Sequence, residues 1–481
     1  MALTKEQEPL FNIIPVGQPI IFTVFDSAII NGSNHKIKYI AEVYVDNDNS
    51  NIMVTANRVA ILKATPNSSG YGIFDVSTIL DSYVSPDYTG GGVMGTGNFS
   101  QFKGTNYSNI NPHSIHLIDK FSTNRNSVRY CRIKFKIEYA TTATGTLIEA
   151  NYDVQSDKFI FFNGILYDND VFKQTANGFG YPLNQYGYYA NNSGTKGVLS
   201  NAPQTQYIRE NDFATLGFFN QISFGESGEA PVAATGNVDT IGDVHITFYD
   251  SSGSSLSVIN LEQTQANGGS GLVFKSNAAT KISFVGIGTA NIVNAGGSLP
   301  SGWDYYTVEL RTDNNVVITS EWRFYKQTDD CKGFETIRLT WLNKWGTWDY
   351  YNFTKKSIRN FNTERKAYKQ ISGSWGGSKY LISDHTGGMK NYSSTIKETI
   401  TLNTDYITEE EGNWLEELFV SNDVYILSQN SDDSSYGYIR KYVTPCRITS
   451  TDHTRKSTAN DKLIQYTFDI ETDRTKKAQK I

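Results

Sequence analysis

Cysteine is scarce in this chain of 481 residues: Cys131, Cys331 and Cys446 lie far apart and are odd in number. That excludes a disulfide framework and fits folding in a reducing cytoplasm. Histidine is nearly as rare, with six in all. Long apolar runs are missing. The opening residues Met1 to Glu8 lack a signal core, and Pro15, Gly17, Gln18 and Pro19 break the run from Ile13 to Phe25. No segment reaches the ~20 apolar residues of a membrane helix, so neither an export signal nor an anchor is expected. An excess of positive charge is absent too. Lys and Arg number 43 against 49 Asp and Glu, a net of −6, where a nucleic-acid binder usually shows a basic face.

What the chain has is aromatic residues and strand patterns. Aromatics make up 13 % of it, including 30 Tyr and 26 Phe, too many for a disordered polymer. Cys131, Ile133, Phe135, Ile137 and Tyr139 alternate with Arg132, Lys134, Lys136 and Glu138, and Lys36 to Val45 repeats the pattern. A period of two with charge on alternate positions means one face in a core and one in water, as antiparallel sheets provide. Helical spacing is confined to short stretches. Val76, Ile79, Leu80, Tyr83 and Val84 form one, with Ser77 as its expected cap. Thr408 and Glu411 form a capping box ahead of a second, whose apolar face is Trp414, Leu415, Leu418 and Phe419.

The length suits roughly three domains. The expected fold is mainly β and multi-domain, with antiparallel β-sandwich domains and a few short helices. Residues 1–160 read as an N-terminal β-rich domain with one short helix, and 161–204 as a strand followed by a loop rich in Gly, Asn and Tyr. Residues 205–330 carry short strands at regular spacing, with Val244–Tyr249, Leu256–Leu261, Tyr305–Arg311 and Val316–Phe324 around turn clusters, which predicts a sandwich of immunoglobulin or fibronectin type. Residues 331–481 read as an α+β domain containing the capped helix. All seven tryptophans lie at or beyond Trp303.

The densest signal is in that last region. Two short strands, Thr336–Asn343 and Thr347–Phe353, flank a turn at Gly346, with Trp341, Trp345 and Trp348 around it. Three indoles are more apolar surface than a two-stranded hairpin buries by itself. Either the rest of the domain or a neighbouring subunit must cover them. A second candidate contact set is Tyr181, Tyr186, Tyr188 and Tyr189 in the long loop, where tyrosine offers contact area at low entropic cost.

Motifs with chemistry are weak. Gly90-Gly-Gly-Val-Met-Gly95 has the dinucleotide spacing without the strand before it or the helix after it. His113, His116 and Asp119 have ligand spacing for zinc, yet Pro112 and the apolar Ile115, Leu117 and Ile118 fit a strand edge equally well. Ser383, Asp384 and His385 are neighbours in sequence, whereas a nucleophilic triad is recognised by geometry. Glu409, Glu410 and Glu411 suit the positive end of a helix. No catalytic residue, metal or cofactor is expected, and the chain reads as non-enzymatic.

Three N-terminal segments, 19–26, 36–45 and 71–84, resemble the opening of structural proteins in tailed bacteriophages of Bacteroidetes hosts, including crAss-like phages. Residues 339–353 are similar to a WLN…G…D…F segment of the same proteins. The resemblance implies a virion tail or neck component, a ring or hub subunit made in the host cytoplasm. Its implied partners are copies of itself and other tail or portal-proximal proteins, with no specific nucleic-acid or membrane partner. A glycan-binding receptor protein of the tail tip is the alternative.

Overall fold

The chain is mainly β, in several antiparallel and mixed sheets with few short helices. The computed structural model describes residues 3–9, 13–47, 52–86, 95–96, 109–110, 121–123, 127–167, 174–175, 178–179, 198–219, 241–262, 282–294, 297–312, 317, 319–328, 333–427, 443–450 and 464–477. Two compact units emerge. One is Met1–Gln327 with Leu342–Asp349; the other is Thr328–Trp341 with Tyr350–Ile481. The expected 1–160 region and all but the last three residues of the 205–330 region therefore fall within one unit. The partition runs through the tryptophan hairpin, whose tip counts with the first unit and whose legs count with the second.

In the first unit, strands Thr4–Gln7, Ile21–Phe25 and Gly72–Asp75 form a three-stranded sheet. It packs on a six-stranded sheet built around Val128–Ala140 and His35–Asp46. Their register pairs Ile133 with Val43, Phe135 with Ala41 and Ile137 with Tyr39, which puts the alternating apolar set on one face. Phe22 of the smaller sheet meets Phe135 and Phe159 at ring distances of 5.9 and 5.8 Å, and Phe74 meets Phe135 at 6.2 Å. That is a sandwich core.

The alternation breaks at its end. Glu138 is buried and Tyr139 half-buried, the reverse of the expected phase, and the pairing with His35–Asp46 shifts register between Glu138 and Ala140. Glu138 lies ahead of that shift, on the charged face, where Lys63 donates to its carboxylate at 2.6 Å. The charged face is not simply wet either. Glu42 is buried and accepts hydrogen bonds from Arg58 at 3.0 Å, Lys136 at 3.1 Å and Tyr44 at 3.0 Å.

A five-stranded sheet in the same unit runs Thr205–Ile208, Trp322–Lys326, Tyr305–Thr312, Ile241–Tyr249, Ser255–Glu262. A three-stranded sheet of Thr215–Phe219, Ile282–Gly286 and Phe121–Thr123 accompanies it. The Tyr306 hydroxyl donates to the Ile287 carbonyl at 2.8 Å, tying the larger sheet to the end of a strand in the smaller. Two edge pairings are parallel, Ile13–Gly17 on Phe159–Ile165 and Thr205–Ile208 on Trp322–Lys326, beside the antiparallel pairings that make up the rest of these sheets. Ser77 is the first helical residue of Ser77–Asp81 and does not cap it. The Asp75 carboxylate, two residues earlier, accepts the Ser77 amide at 2.9 Å.

The second unit is a seven-stranded sheet covered by the helix Glu409–Val420. The capping box forms as expected: the Glu411 amide donates to Thr408 Oγ1 at 3.2 Å, and the Thr408 amide to Glu411 Oε2 at 2.8 Å. Trp414 packs on Trp341 at 5.2 Å and on Tyr351 at 6.0 Å, while Phe419 meets Phe468 at 5.1 Å. No helix among the described residues is long and apolar enough to cross a membrane.

Candidate assembly interface

The three hairpin indoles are consumed inside the fold. Trp341 is fully buried in the second unit. Trp345 and Trp348 are buried in the first, at 1 % and 4 % exposure. The turn that carries them is a three-residue hairpin loop closing on a glycine in left-handed backbone. The Gly346 amide donates to the Asn343 carbonyl at 3.0 Å, the Asn343 amide to the Thr347 carbonyl at 2.8 Å, and Gly346 has φ of +76°. A Cβ there would collide with the Asn163 carbonyl oxygen. Asn343 is the organiser. Its Oδ1 accepts the amides of Trp345 and Thr347, each at 3.0 Å, and its Nδ2 donates to the Leu199 carbonyl at 2.9 Å. The Ser200 hydroxyl donates to Asp349 at 2.7 Å, and Trp345 Nε1 reaches Asn201 Oδ1 at 3.4 Å. Of the two covers left open for the candidate interface residues Trp341, Trp345 and Trp348, the rest of the chain or a neighbouring subunit, their burial within this chain fits the first. Tyr181, Tyr186, Tyr188 and Tyr189 lie outside the described residues, as do His113, His116, Asp119, Cys331 and most of the Gly90–Gly95 run.

The remaining motifs take structural places. Glu409 to Glu411 open the capped helix. Asp384 and His385 are highly exposed side by side, 3.3 Å apart.

An exposed apolar surface does exist, on a feature that the sequence reading missed. Strand Ile358–Gln370 pairs with Gly388–Asn403 over thirteen residue pairs and is itself the outer strand of the seven-stranded sheet. Its other side has no strand partner among the described residues. Strand Thr467–Lys477 supports Gly388–Asn403 only as far as Thr395. Beyond that the chain continues as a bare two-stranded ribbon, Arg365–Gln370 against Gly388–Ser394. A small hairpin caps it: Gly373–Gly376 pairs with Lys379–Ile382 through a tight turn at Gly377, whose φ is +64°. We refer to residues 358–403 as the arm.

The arm tip is apolar and uncovered. Trp375 is 78 % exposed, Ile382 75 %, Ile371 73 % and Met389 70 %. Trp375 stands edge-on to Tyr380 across the hairpin at 5.4 Å, and Tyr368 to Tyr392 along the ribbon at 6.3 Å. Six of the seven tryptophans are buried, and Trp375 is the exception. Large side chains of this kind contribute about 150–250 Å² each. With Leu381 and Tyr380, both also exposed, the tip therefore presents roughly 700 Å², beyond the few hundred that a soluble monomer usually leaves contiguous. A signal for it was present: Gly376-Gly377-Ser378 between Trp375 and Lys379-Tyr-Leu-Ile382 reads as a tight hairpin turn, and Arg359 to Gln370 is polar on both strand faces, so it has no core to join.

No protein-family model matches the chain, and no curated protein matches it by sequence. Among solved structures, native Escherichia coli alpha-2-macroglobulin is similar at 8 % identity over 83 % of this chain and 21 % of that one, with a TM-score of 0.18. Salmonella alpha-2-macroglobulin reacted with methylamine matches at 9 % identity over 97 % and 23 %, with a TM-score of 0.19. The Bacillus anthracis TIE protein matches at 8 % over 82 % and 69 %, with a TM-score of 0.12. The chain thus spans about a fifth of the length of the macroglobulins. Likenesses this faint establish neither fold nor function.

Proposed function

We propose that this chain is a non-enzymatic structural subunit of a bacteriophage tail or neck, one copy of a symmetric ring or hub that binds copies of itself and neighbouring tail or portal-proximal proteins. The observation that carries the reading is the arm, a ribbon with an apolar tip that nothing among the described residues covers. Isolated two-stranded ribbons are marginal in water, so an exposed ribbon ending in Trp375 calls for an assembled neighbour. The resemblance of residues 19–26, 36–45, 71–84 and 339–353 to phage structural proteins points to the kind of assembly. Protein mass spectrometry of purified particles, with mass photometry of the isolated chain, tests it. Stoichiometric presence in particles is the expected result; absence from every particle overturns the reading.

A second reading draws on the same residues. Trp375 beside Tyr380 is an exposed aromatic pair with the geometry to stack on a sugar ring, as a glycan-binding protein of a tail tip would. Binding on a glycan array that Trp375→Ala abolishes would favour it; a blank array removes it.

A further inference from the structure

We infer that the arm is covered by a second copy of this chain: the basic arm of one copy lies along the acidic remainder of the next, with Trp375 and Ile382 buried against it. The inference rests on the structural-subunit reading and names the partner that the reading leaves open.

Charge is the first observation. Residues 358–403 hold seven Lys and Arg against three Asp and Glu, a net of +4, in a chain whose net is −6; the other residues therefore carry −10. An arm of one sign on a body of the other is complementary between copies. The same charges exclude the simplest alternative, two arms pairing edge to edge. Arg359 of strand Ile358–Gln370 is paired with Glu335 and Glu398, but Arg365, Lys366 and Lys369 stand against Glu364 alone, and like charges facing across a strand pair are destabilising. Arm-on-body contact is heterologous, the type that closes into a ring when the rotation permits.

Area is the second. The roughly 700 Å² of apolar tip approaches the ~800 Å² per partner of a standard stable interface, before any of the ribbon is counted. The contact need not be confined to the tip, because Phe361, Tyr368 and Tyr392 continue the exposed aromatic surface along the shaft. Phe361 and Gln370 are nine positions apart on one strand, about 30 Å at ~3.3 Å per residue, with Arg365, Lys366 and Lys369 between them. A bilayer does not suit that surface. It would have to take in those cations and the unpaired backbone groups of an outer strand, which hydrocarbon cannot satisfy. A protein surface with acidic side chains can.

The test uses the full chain with Trp375→p-benzoylphenylalanine, irradiated alone, with anionic phosphatidylserine vesicles, and in assembled particles. The expected product is a covalent dimer of this chain, with the tip linked to residues outside 358–403. A second variant, Lys366→Glu with Lys369→Glu, changes two exposed side chains that no core uses. It should weaken self-association about tenfold or more, and wild-type association should weaken as salt rises. No dimer link, links only to lipid, or links only to a different particle protein overturns the inference. Links only to a different particle protein leave the structural-subunit reading intact, whereas self-links in a chain absent from particles overturn that reading and leave the inference standing.

Discussion

Replacing Asn343 by alanine removes the organiser of the tryptophan turn without touching a tryptophan. In the native turn the Asn343 side chain makes four hydrogen bonds: it accepts the amides of Trp345 and Thr347 and donates to the Leu199 carbonyl and to Thr347 Oγ1. The losses are unequal. Leu199 O keeps a second donor, the Thr347 hydroxyl at 2.5 Å, so it is not orphaned. The Trp345 and Thr347 amides belong to residues at 1 % exposure and lose the oxygen that both donate to. Each buried unsatisfied group costs about 1–3 kcal/mol, and a water entering the vacated space would bring the pair toward the lower end. A local destabilisation of about 3 kcal/mol follows, which is roughly 100-fold in an opening equilibrium at ~1.4 kcal/mol per decade. Hydrogen exchange of the intact chain, followed by mass spectrometry over residues 342–349 and 198–202, reads it directly. Amides 345 and 347 should exchange about 100-fold faster in Asn343→Ala. Asn343→Asp keeps the acceptor and loses the donor, so those two amides should stay protected while residues 198–202 loosen. A change under about threefold in the alanine variant would refute the assignment of Asn343 as organiser.

The other expectations concern separate elements. For Glu42, burial alone would push its carboxyl up, but hydrogen bonds from Lys136 and Tyr44, with Arg58 close by, outweigh it and hold the pKa below the ordinary glutamate value. A depressed acid contributes stability above its unfolded pKa and loses it as pH falls through the folded one. Glu42→Gln should therefore cost about 1–3 kcal/mol at neutral pH and flatten the acid limb of a denaturation series below the ordinary glutamate pKa; an unchanged acid limb would remove Glu42 from the account. Thr408→Ala should cost about 1 kcal/mol through loss of the cap, seen as faster exchange over residues 409–412 and nowhere else. Trp341→Ala should cost about 3–5 kcal/mol, whereas Trp375→Ser should shift a denaturation midpoint by no more than about 0.5 kcal/mol; similar losses for the two would contradict their opposite burial.

What the sequence made legible is local. The period-two run of Cys131, Ile133, Phe135 and Ile137 needed no knowledge of partners, because a sheet with one buried face imposes alternation on the strand itself. The Thr408 and Glu411 box was equally readable, since both of its hydrogen bonds close within four residues. The bulge beyond Ile137 and the parallel edge pairs depend on strands brought in from elsewhere, and the sequence of a single strand does not encode them. The tryptophan hairpin shows the boundary between the two cases. Its composition demanded a cover, but the cover for the turn is Leu199 to Asn201, more than 140 residues away in sequence. The arm was missed for the opposite reason. Reading for apolar periodicity finds what is buried, and a strand with polar residues on both faces registers as weak strand signal, although two-faced exposure is the property that matters there.

The placement of the seven tryptophans separates two demands that a single residue type can serve. Six contribute to cores, where truncation opens a cavity and unfolds structure around it. The seventh, Trp375, sits on an exposed hairpin and joins no core among the described residues, so its removal costs the fold almost nothing. An assembling protein gains from that separation. On the assembly proposed above, the cores would be complete within each chain, and the arm would keep its apolar area for a neighbour. On that same proposal the cations along Ile358–Gln370 would have a second effect besides attraction: they would keep copies from stacking arm on arm while the tip is uncovered. Neutralising them without touching the apolar tip, with Arg365→Gln, Lys366→Gln and Lys369→Gln together, should convert ordered association into concentration-dependent aggregation. Light scattering of the variant at low salt measures it, and a variant that stays as dispersed as the wild type would show that the charges do not guard the edge.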